Sequence, residues 1–343
     1  MRMSLDGWTV DAGSLRLRGW VEPGEGLARV TLRATLLDAP AHPEPAAFIA
    51  EDSDSPGVTA TALRLSFDIR LRLSREASVI ANESAVEFSR LSDDGAVIDR
   101  AAFLLKDDRA LATDPLLPPA PLRLRVHGSH EAPGFRDTGW RCARDIRAAA
   151  ERFAPIGSFA RVLDWGCGCG RLSRFLSRWI APDRLLGCDI DREAIDWMRR
   201  AYPRQDFRVI SPSPPSPYDD ASFDLIVGVS IFTHLDERFE LLWLDELRRL
   251  LRPGGLAIVS VHGPSACPPH LGPALAAGGR VDEPSVGAHF FEPYTGKDYY
   301  RTTFVTEHFV RSRWTRGLGI AAYLERALAK HHDLVVLRSP ASS

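Results

Sequence analysis

Between residues 28 and 36 apolar and polar side chains alternate, with Ala28, Val30, Leu32, Ala34 and Leu36 against Arg29, Thr31, Arg33 and Thr35. The same period runs through Leu63, Leu65, Phe67, Ile69, Leu71 and Leu73, separated by Arg64, Ser66, Asp68, Arg70 and Arg72. A period of two turns one set inward and the other to water, which predicts half-buried strands. Shorter candidates occupy 15–21, 86–91 and 96–105. Pro23-Gly24, Pro56-Gly57 and Asp93-Asp94-Gly95 supply turns between them. Several short strands with no helical stretch predict an all-β sandwich domain over residues 1–110.

A proline cluster ends this pattern. Asp114-Pro115-Leu116-Leu117-Pro118-Pro119-Ala120-Pro121 can continue neither a helix nor a strand, so residues 111–124 read as a linker and 125–343 as a second domain. There the period changes. Trp140, Ala143, Ile146, Ala150 and Phe153 mark one side of a helix over about 138–153. Leu172, Phe175, Leu176, Trp179 and Ile180 form a second helical stripe. Asp191 can cap a third helix, with Glu193 in its first turn. A fourth, over 239–251, stops at Arg252-Pro253-Gly254-Gly255. Apolar strands at 161–163, 185–189, 207–210, 223–229 and 256–261 alternate with these helices. That order predicts an α/β fold with a doubly wound parallel sheet.

Composition narrows the class. The 343 residues carry 43 Lys plus Arg against 45 Asp plus Glu, a formal charge of −2, so no global field draws the chain to nucleic acid or an anionic membrane. No apolar run approaches the ~18–20 residues of a membrane helix, and no membrane span is expected. Asp6 falls where a signal peptide would need its apolar stretch, and a cytoplasmic location is expected. Cys142, Cys167, Cys169, Cys188 and Cys267 are odd in number and absent from the first hundred residues, unlike a disulfide framework. The one-residue spacing of Cys167 and Cys169 departs from zinc pairs, and no metal is expected.

The chemistry concentrates in Val162-Leu163-Asp164-Trp165-Gly166-Cys167-Gly168-Cys169-Gly170-Arg171, which joins the first strand of the sheet to its first helix. Glycines at alternate positions bare the backbone at the carboxyl end of a strand, where ligands of such folds bind. Asp189 ends the next strand, 19 residues after Gly170, where an acid can accept both hydroxyls of a ribose. Singly, the glycines could serve packing and Asp189 a helix cap; together they point to a nucleoside. The spacing Gly-x-Gly-x-Gly differs from the dinucleotide fingerprint Gly-x-Gly-x-x-Gly.

These residues resemble a class I S-adenosylmethionine-dependent methyltransferase. Asp164 to Arg171 resembles its first motif, Asp189 its ribose acid, Pro217 to Asp224 the run entering its fourth strand, Ser230-Ile231-Phe232-Thr233-His234-Leu235 the post-strand motif of a bacterial subgroup, and Leu251 to Gly255 the turn before its fifth strand. The resemblance implies a Rossmann-like sheet of seven strands with the last antiparallel, its final hairpin supplied by 319–328 and 333–338. It implies S-adenosyl-L-methionine as cofactor. Asp164 and the backbone of Gly166, Cys167, Gly168 and Gly170 would hold its methionine part, Asp189 the ribose, Ile190 the adenine side, and Ser230 the methionine part from the fourth strand. The segment Ser211-Pro212-Ser213-Pro214-Pro215-Ser216-Pro217 lacks the acid or amide that many relatives place near adenine.

A small-molecule or glycan acceptor with a hydroxyl oxygen would need a base. His234, just past the fourth strand, and His262, at the end of the fifth, are the candidates; His331 and His332 are expected at the surface. Residues 263–304 form a long irregular insertion, rich in Gly and Pro and then in aromatics, of which Tyr300 is the expected acceptor contact. Phe135 is expected over the cofactor pocket. Leu17-Arg18-Gly19-Trp20-Val21 resembles β-sandwich modules of bacterial surface-polysaccharide enzymes; Trp20 could stack on a sugar or fill a core, and the module could pair two copies of the chain as a homodimer. Two other functions compete: a non-catalytic carbohydrate-binding protein with a nucleoside-sensing domain, and a nicotinamide-dependent oxidoreductase.

Overall fold

The computed structural model describes residues 3–11, 14–22, 30–36, 46–50, 65–72, 85–105, 111, 113–296 and 299–341. The turns expected at Pro23-Gly24 and Pro56-Gly57, and the strand ends Ala28-Arg29, Leu63-Arg64 and Leu73, lie outside them. The chain divides into two compact units, Met1–Thr113 and Asp114–Ser343.

The first unit holds β1 (Met3–Asp11), β2 (Ser14–Val21), β3 (Val30–Leu36), β4 (Ala46–Ala50), β5 (Leu65–Arg72), β6 (Ala85–Leu91) and β7 (Val97–Leu104). They form two antiparallel sheets, β1-β2-β5 and β4-β3-β6-β7. The alternation read from sequence places Leu15, Leu17, Phe67 and Ile69 of one sheet and Leu32, Ala34, Val86 and Phe88 of the other in one buried cluster. Phe67 and Phe88 meet with ring centroids 5.1 Å apart. Trp20 stands out of that alternation and is half-buried outside the cluster, so it is not the core tryptophan a sandwich often carries. Sequence reading missed β1, because a register shift between Leu5 and Gly7 breaks its period of two.

The second unit is built on β8 (Val162–Trp165), β9 (Leu185–Asp189), β10 (Phe207–Val209), β11 (Phe223–Gly228), β12 (Leu251–Val261), β13 (Arg280–Pro284), β14 (Arg301–Val305), β15 (Gly319–Leu328) and β16 (His332–Arg338). Seven of these strands form one sheet in the order β10-β9-β8-β11-β12-β16-β15. β8 to β12 pair in parallel, and β16 runs antiparallel to both its neighbours. Strand order reverses at β8, and the crevice at such a switch point is where ligands of open α/β sheets bind.

The helices are α1 (Ala120–His127), α2 (Ala132–Ala150), α3 (Ser173–Leu176), α4 (Arg192–Ala201), α5 (Glu237–Leu250), α6 (Gly272–Gly278), α7 (Glu292–Thr295) and α8 (Glu307–Arg313). Asp191 caps α4, its Oδ1 accepting from the Glu193 and Ala194 amides at 3.0 and 3.2 Å. α5 buries Trp243, Leu244, Leu247 and Leu250 against the sheet. Two expectations change. α1 begins inside the segment read as a linker: Pro121 falls in its first turn, where no amide hydrogen is needed, and Gly128 closes it at φ 72°. The insertion 263–304 is not irregular, because β13 and β14 pair within it. Among the described residues no helix is long and apolar enough to cross a membrane.

Candidate active site

The turn after β8 is shaped by its backbone. Gly166 and Gly168 sit at φ 75° and 52°, a region that side chains disfavour, and a Cβ on Gly168 would meet Val126 of α1 at 2.6 Å. The Gly166 and Cys167 amides both donate to the Cys188 carbonyl of β9, at 2.8 and 3.0 Å. Asp189 completes the lock. Its Oδ2 accepts from the Gly168 amide and its Oδ1 from the Asp191 amide, each at 2.8 Å. Burial pushes the Asp189 carboxyl up to about 6, and those two amides oppose the rise. Each oxygen keeps a second lone pair for a ligand.

A cavity of about 350 Å³ opens over this turn. Seven of the residues expected from sequence line it: Gly166, Gly168, Asp189, Ile190, Ser230, His234 and Tyr300. Five do not. Asp164 is buried below the turn and accepts a hydrogen bond from Ser173 Oγ, and burial lifts its carboxyl to about 7. Cys167 points inward, against Ile195, Met198 and Phe207. Gly170 sits at φ 85°, the left-handed region that favours glycine, with Met198 Sδ of α4 2.6 Å from where a Cβ would stand. Phe135 does not cover the pocket: it is 1% exposed and packs with Leu122, Cys169 and Ala194 behind the turn. His262 lies outside the cavity wall, stacked on Phe304 with centroids 5.2 Å apart, its Nδ1 3.1 Å from the Thr303 carbonyl. His332 is half-buried beside it rather than at the surface; His331 is exposed.

His234 lines the same cavity. Its Nδ1 lies 2.8 Å from the Arg301 carbonyl, which can only accept, so Nδ1 carries the hydrogen and Nε2 the lone pair. Burial lowers its pKa to about 4, against the opposing bond to Arg301. The ring stacks on Tyr300 at 4.2 Å and 16°, and Tyr300 stacks on Phe291 at 4.7 Å and 21°. The insertion supplies two of these three rings. It is held across the sheet end by amides of β14: Arg301 donates to the His234 carbonyl, Thr303 to Thr233 and Val305 to His262, each at 2.9 Å.

Several lining residues escaped sequence reading. Leu124, Arg125 and Val126 come from α1, masked by the proline run around it. Arg125 pairs with Asp191 at 3.2 Å and Glu193 at 2.6 Å, fastening α1 to α4. Arg171, directly after Gly170, lines the cavity, and among the described residues no carboxylate pairs with it. Ile210 and Trp243 add apolar wall beside the proline-rich segment. That segment offers no polar side chain to the cavity; instead the Pro212 carbonyl accepts from Trp243 Nε1 at 3.1 Å and from the Tyr299 hydroxyl at 2.7 Å.

Comparison with known proteins bears on this site. Residues 162–255 match the family model described as a methyltransferase domain. The chain is 29% identical over 220 residues to a trans-aconitate 2-methyltransferase of Azoarcus sp., covering 58% of this chain and 81% of that protein. It is 33% identical over 96 residues to a fatty-acid O-methyltransferase of Mycolicibacterium smegmatis, covering 28% of this chain and 34% of that protein. Among solved structures it is similar to the N-methyltransferase NodS of Bradyrhizobium japonicum in complex with S-adenosyl-L-homocysteine, at 17% identity and a TM-score of 0.40, covering 68% of this chain and 97% of that one. A carboxylate, bare glycine backbone, the Arg171 guanidinium and an apolar wall converge on the cavity, a set of groups that fits S-adenosyl-L-methionine. The chain is a methyltransferase with S-adenosyl-L-methionine as cofactor.

Proposed function

We propose that this S-adenosylmethionine-dependent methyltransferase methylates a hydroxyl oxygen of a small molecule or glycan, with His234 as the base. Bound cofactor supplies an electrophilic methyl group on a sulfonium. The chain's residues bind, orient and exclude water. Asp189 would accept the two ribose hydroxyls through the lone pairs its amide bonds leave free. Gly166 and Gly168 would let the methionine part lie on bare backbone, with Arg171 to hold its carboxylate and Ser230 beside it. Ile190 and Ile210 would flank the adenine.

The observation that carries the reading is the place of His234, whose Nδ1 lies 2.8 Å from the Arg301 carbonyl while its ring lines the cavity. Nε2 is left to take the acceptor's proton as the hydroxyl oxygen gains the methyl group, the S–CH3 bond of the sulfonium breaking so that its electron pair stays on sulfur as a neutral thioether. The Tyr300 and Phe291 rings give the acceptor an apolar surface. The first unit reads as a β-sandwich accessory module, supported by its two sheets meeting in one buried cluster.

A carboxylate acceptor is a second reading, favoured by the names of the trans-aconitate and fatty-acid relatives. A carboxylate is already ionised at neutral pH and needs no base. His234→Ala separates the two when methyl-labelled donor is offered with panels of alcohols, sugars and acids. The hydroxyl reading expects kcat to fall about 100-fold or more with unchanged cofactor affinity. Transfer to acids alone, with kcat within a few-fold of the unmodified chain, would replace it.

A further inference from the structure

The mechanism leaves a cluster of imidazoles unused. His262 follows β12, while His331 and His332 end the turn from β15 into β16. One ring nitrogen from each of the three lies within 4.8 Å of the others. His262 and His332 have ring centroids 4.6 Å apart, His331 and His332 5.0 Å, and His262 and His331 6.0 Å. We propose that His262, His331 and His332 bind one divalent late-transition-metal ion, zinc in the first instance.

The surroundings orient the rings as ligands. The Thr303 carbonyl, 3.1 Å from His262 Nδ1, holds the hydrogen on that nitrogen and leaves Nε2 with a lone pair, an arrangement typical of metal-bound histidine. His332 Nδ1 faces Ser260 Oγ at 3.3 Å, which directs its other nitrogen elsewhere. The turn itself is unusual. Ala329 and Lys330 sit at φ 51° and 60°, and the His331 amide donates to the Leu328 carbonyl at 3.0 Å. Such two-residue turns prefer Asn-Gly, so this one holds ordinary side chains in a costly conformation while presenting both histidines. A tetrahedral zinc set has nitrogens about 3.4 Å apart, so side-chain movements of about an ångström would close the site. The exposed ring of His331 gives an ion access from solvent.

An all-imidazole set selects zinc, nickel, cobalt or copper over magnesium and calcium, which take oxygen ligands. Zinc would have three protein ligands, leaving a fourth position to water. The ion would lie outside the cavity wall. The His262 ring is 6.3 Å from that of His234, and Ser260 Oγ, beside His332, accepts the amide of the cavity residue Ser230 at 2.8 Å. The ion would therefore tie the end of β12 to the β16 turn without touching the acceptor. The expectation of no metal weighed the cysteines; the three histidines meet only when β16 returns beside β12.

The test is titration of tag-free, chelator-treated full-length protein with ZnCl2 by calorimetry and with CoCl2 by visible absorption. One zinc per chain and the intense bands of tetrahedral cobalt are expected, with no uptake of MgCl2. His331→Ala, at an exposed position that tolerates truncation, should weaken zinc binding at least tenfold, and His332→Ala should do the same. His270→Ala, at an exposed histidine elsewhere in the unit, should leave it unchanged. The proposal falls if neither zinc nor cobalt binds saturably, if His331→Ala and His332→Ala bind as the parent does, or if His270→Ala weakens binding equally.

Discussion

Asp189 holds the glycine turn closed and faces the cavity with the same carboxylate, so its ionisation has a measurable consequence. Burial raises it to about 6, against the Asp191 and Gly168 amides. On the proposed role of Asp189, ribose hydroxyls would donate to the charged form, so cofactor binding would favour the ionised protein and affinity should fall as pH drops through that value. Calorimetry with S-adenosylhomocysteine should find binding about tenfold weaker at pH 5 than at pH 7.5. Asp189→Asn should bind more weakly at every pH and lose this dependence. A dependence that survives Asp189→Asn would belong to another group, such as Asp164 at about 7. The acid could be found from its place at the end of a strand. Arg171 could not, because nothing in the sequence shows that it reaches the cavity without a carboxylate partner.

At the scale of elements, the coupling of the glycine turn to α1 matters most. Gly168 passes so close to Val126 that a methyl group has no room, and its φ of 52° disfavours any side chain. Gly168→Ala should lower stability by about 1–2 kcal/mol from the backbone conformation alone, seen as a lower Tm. It should also push α1 off the turn and weaken S-adenosylhomocysteine binding by more than that strain explains. Unchanged affinity would mean that α1 takes no part in the site. The strand 185–189 was legible to the residue, because an apolar run ended at an acid before a helix cap. α1 was not, because its prolines also describe a linker and only the Gly128 stop marks a helix end. The insertion read as irregular because β13 is short and charged; its order depends on distant partners such as Glu240, which pairs with Arg280 at 2.5 Å.

Across the whole molecule, what sequence could show is local and what it missed is long-range. Alternation gave the strands that line the first unit's core, and the βα pattern gave the order of the second unit's elements. The contact of His234 with Tyr300, and of His262 with His332, joins residues about seventy apart and becomes visible only when the chain closes. Each unit has its own buried cluster: Leu15, Leu17, Leu32 and Phe88 anchor one, and Leu163, Ile226, Val259 and Val335 the other. Separate cores make separate cooperative transitions the expectation, so a scanning calorimeter should resolve two. Every described residue that lines the cavity belongs to the second unit, and cofactor bound there stabilises the structure that forms it. S-adenosylhomocysteine at a hundred times its Kd should stabilise one transition by about 2.7 kcal/mol and leave the other in place. Movement of both transitions by similar amounts would show that the first unit shares in the site, and would direct the acceptor search toward its sheets.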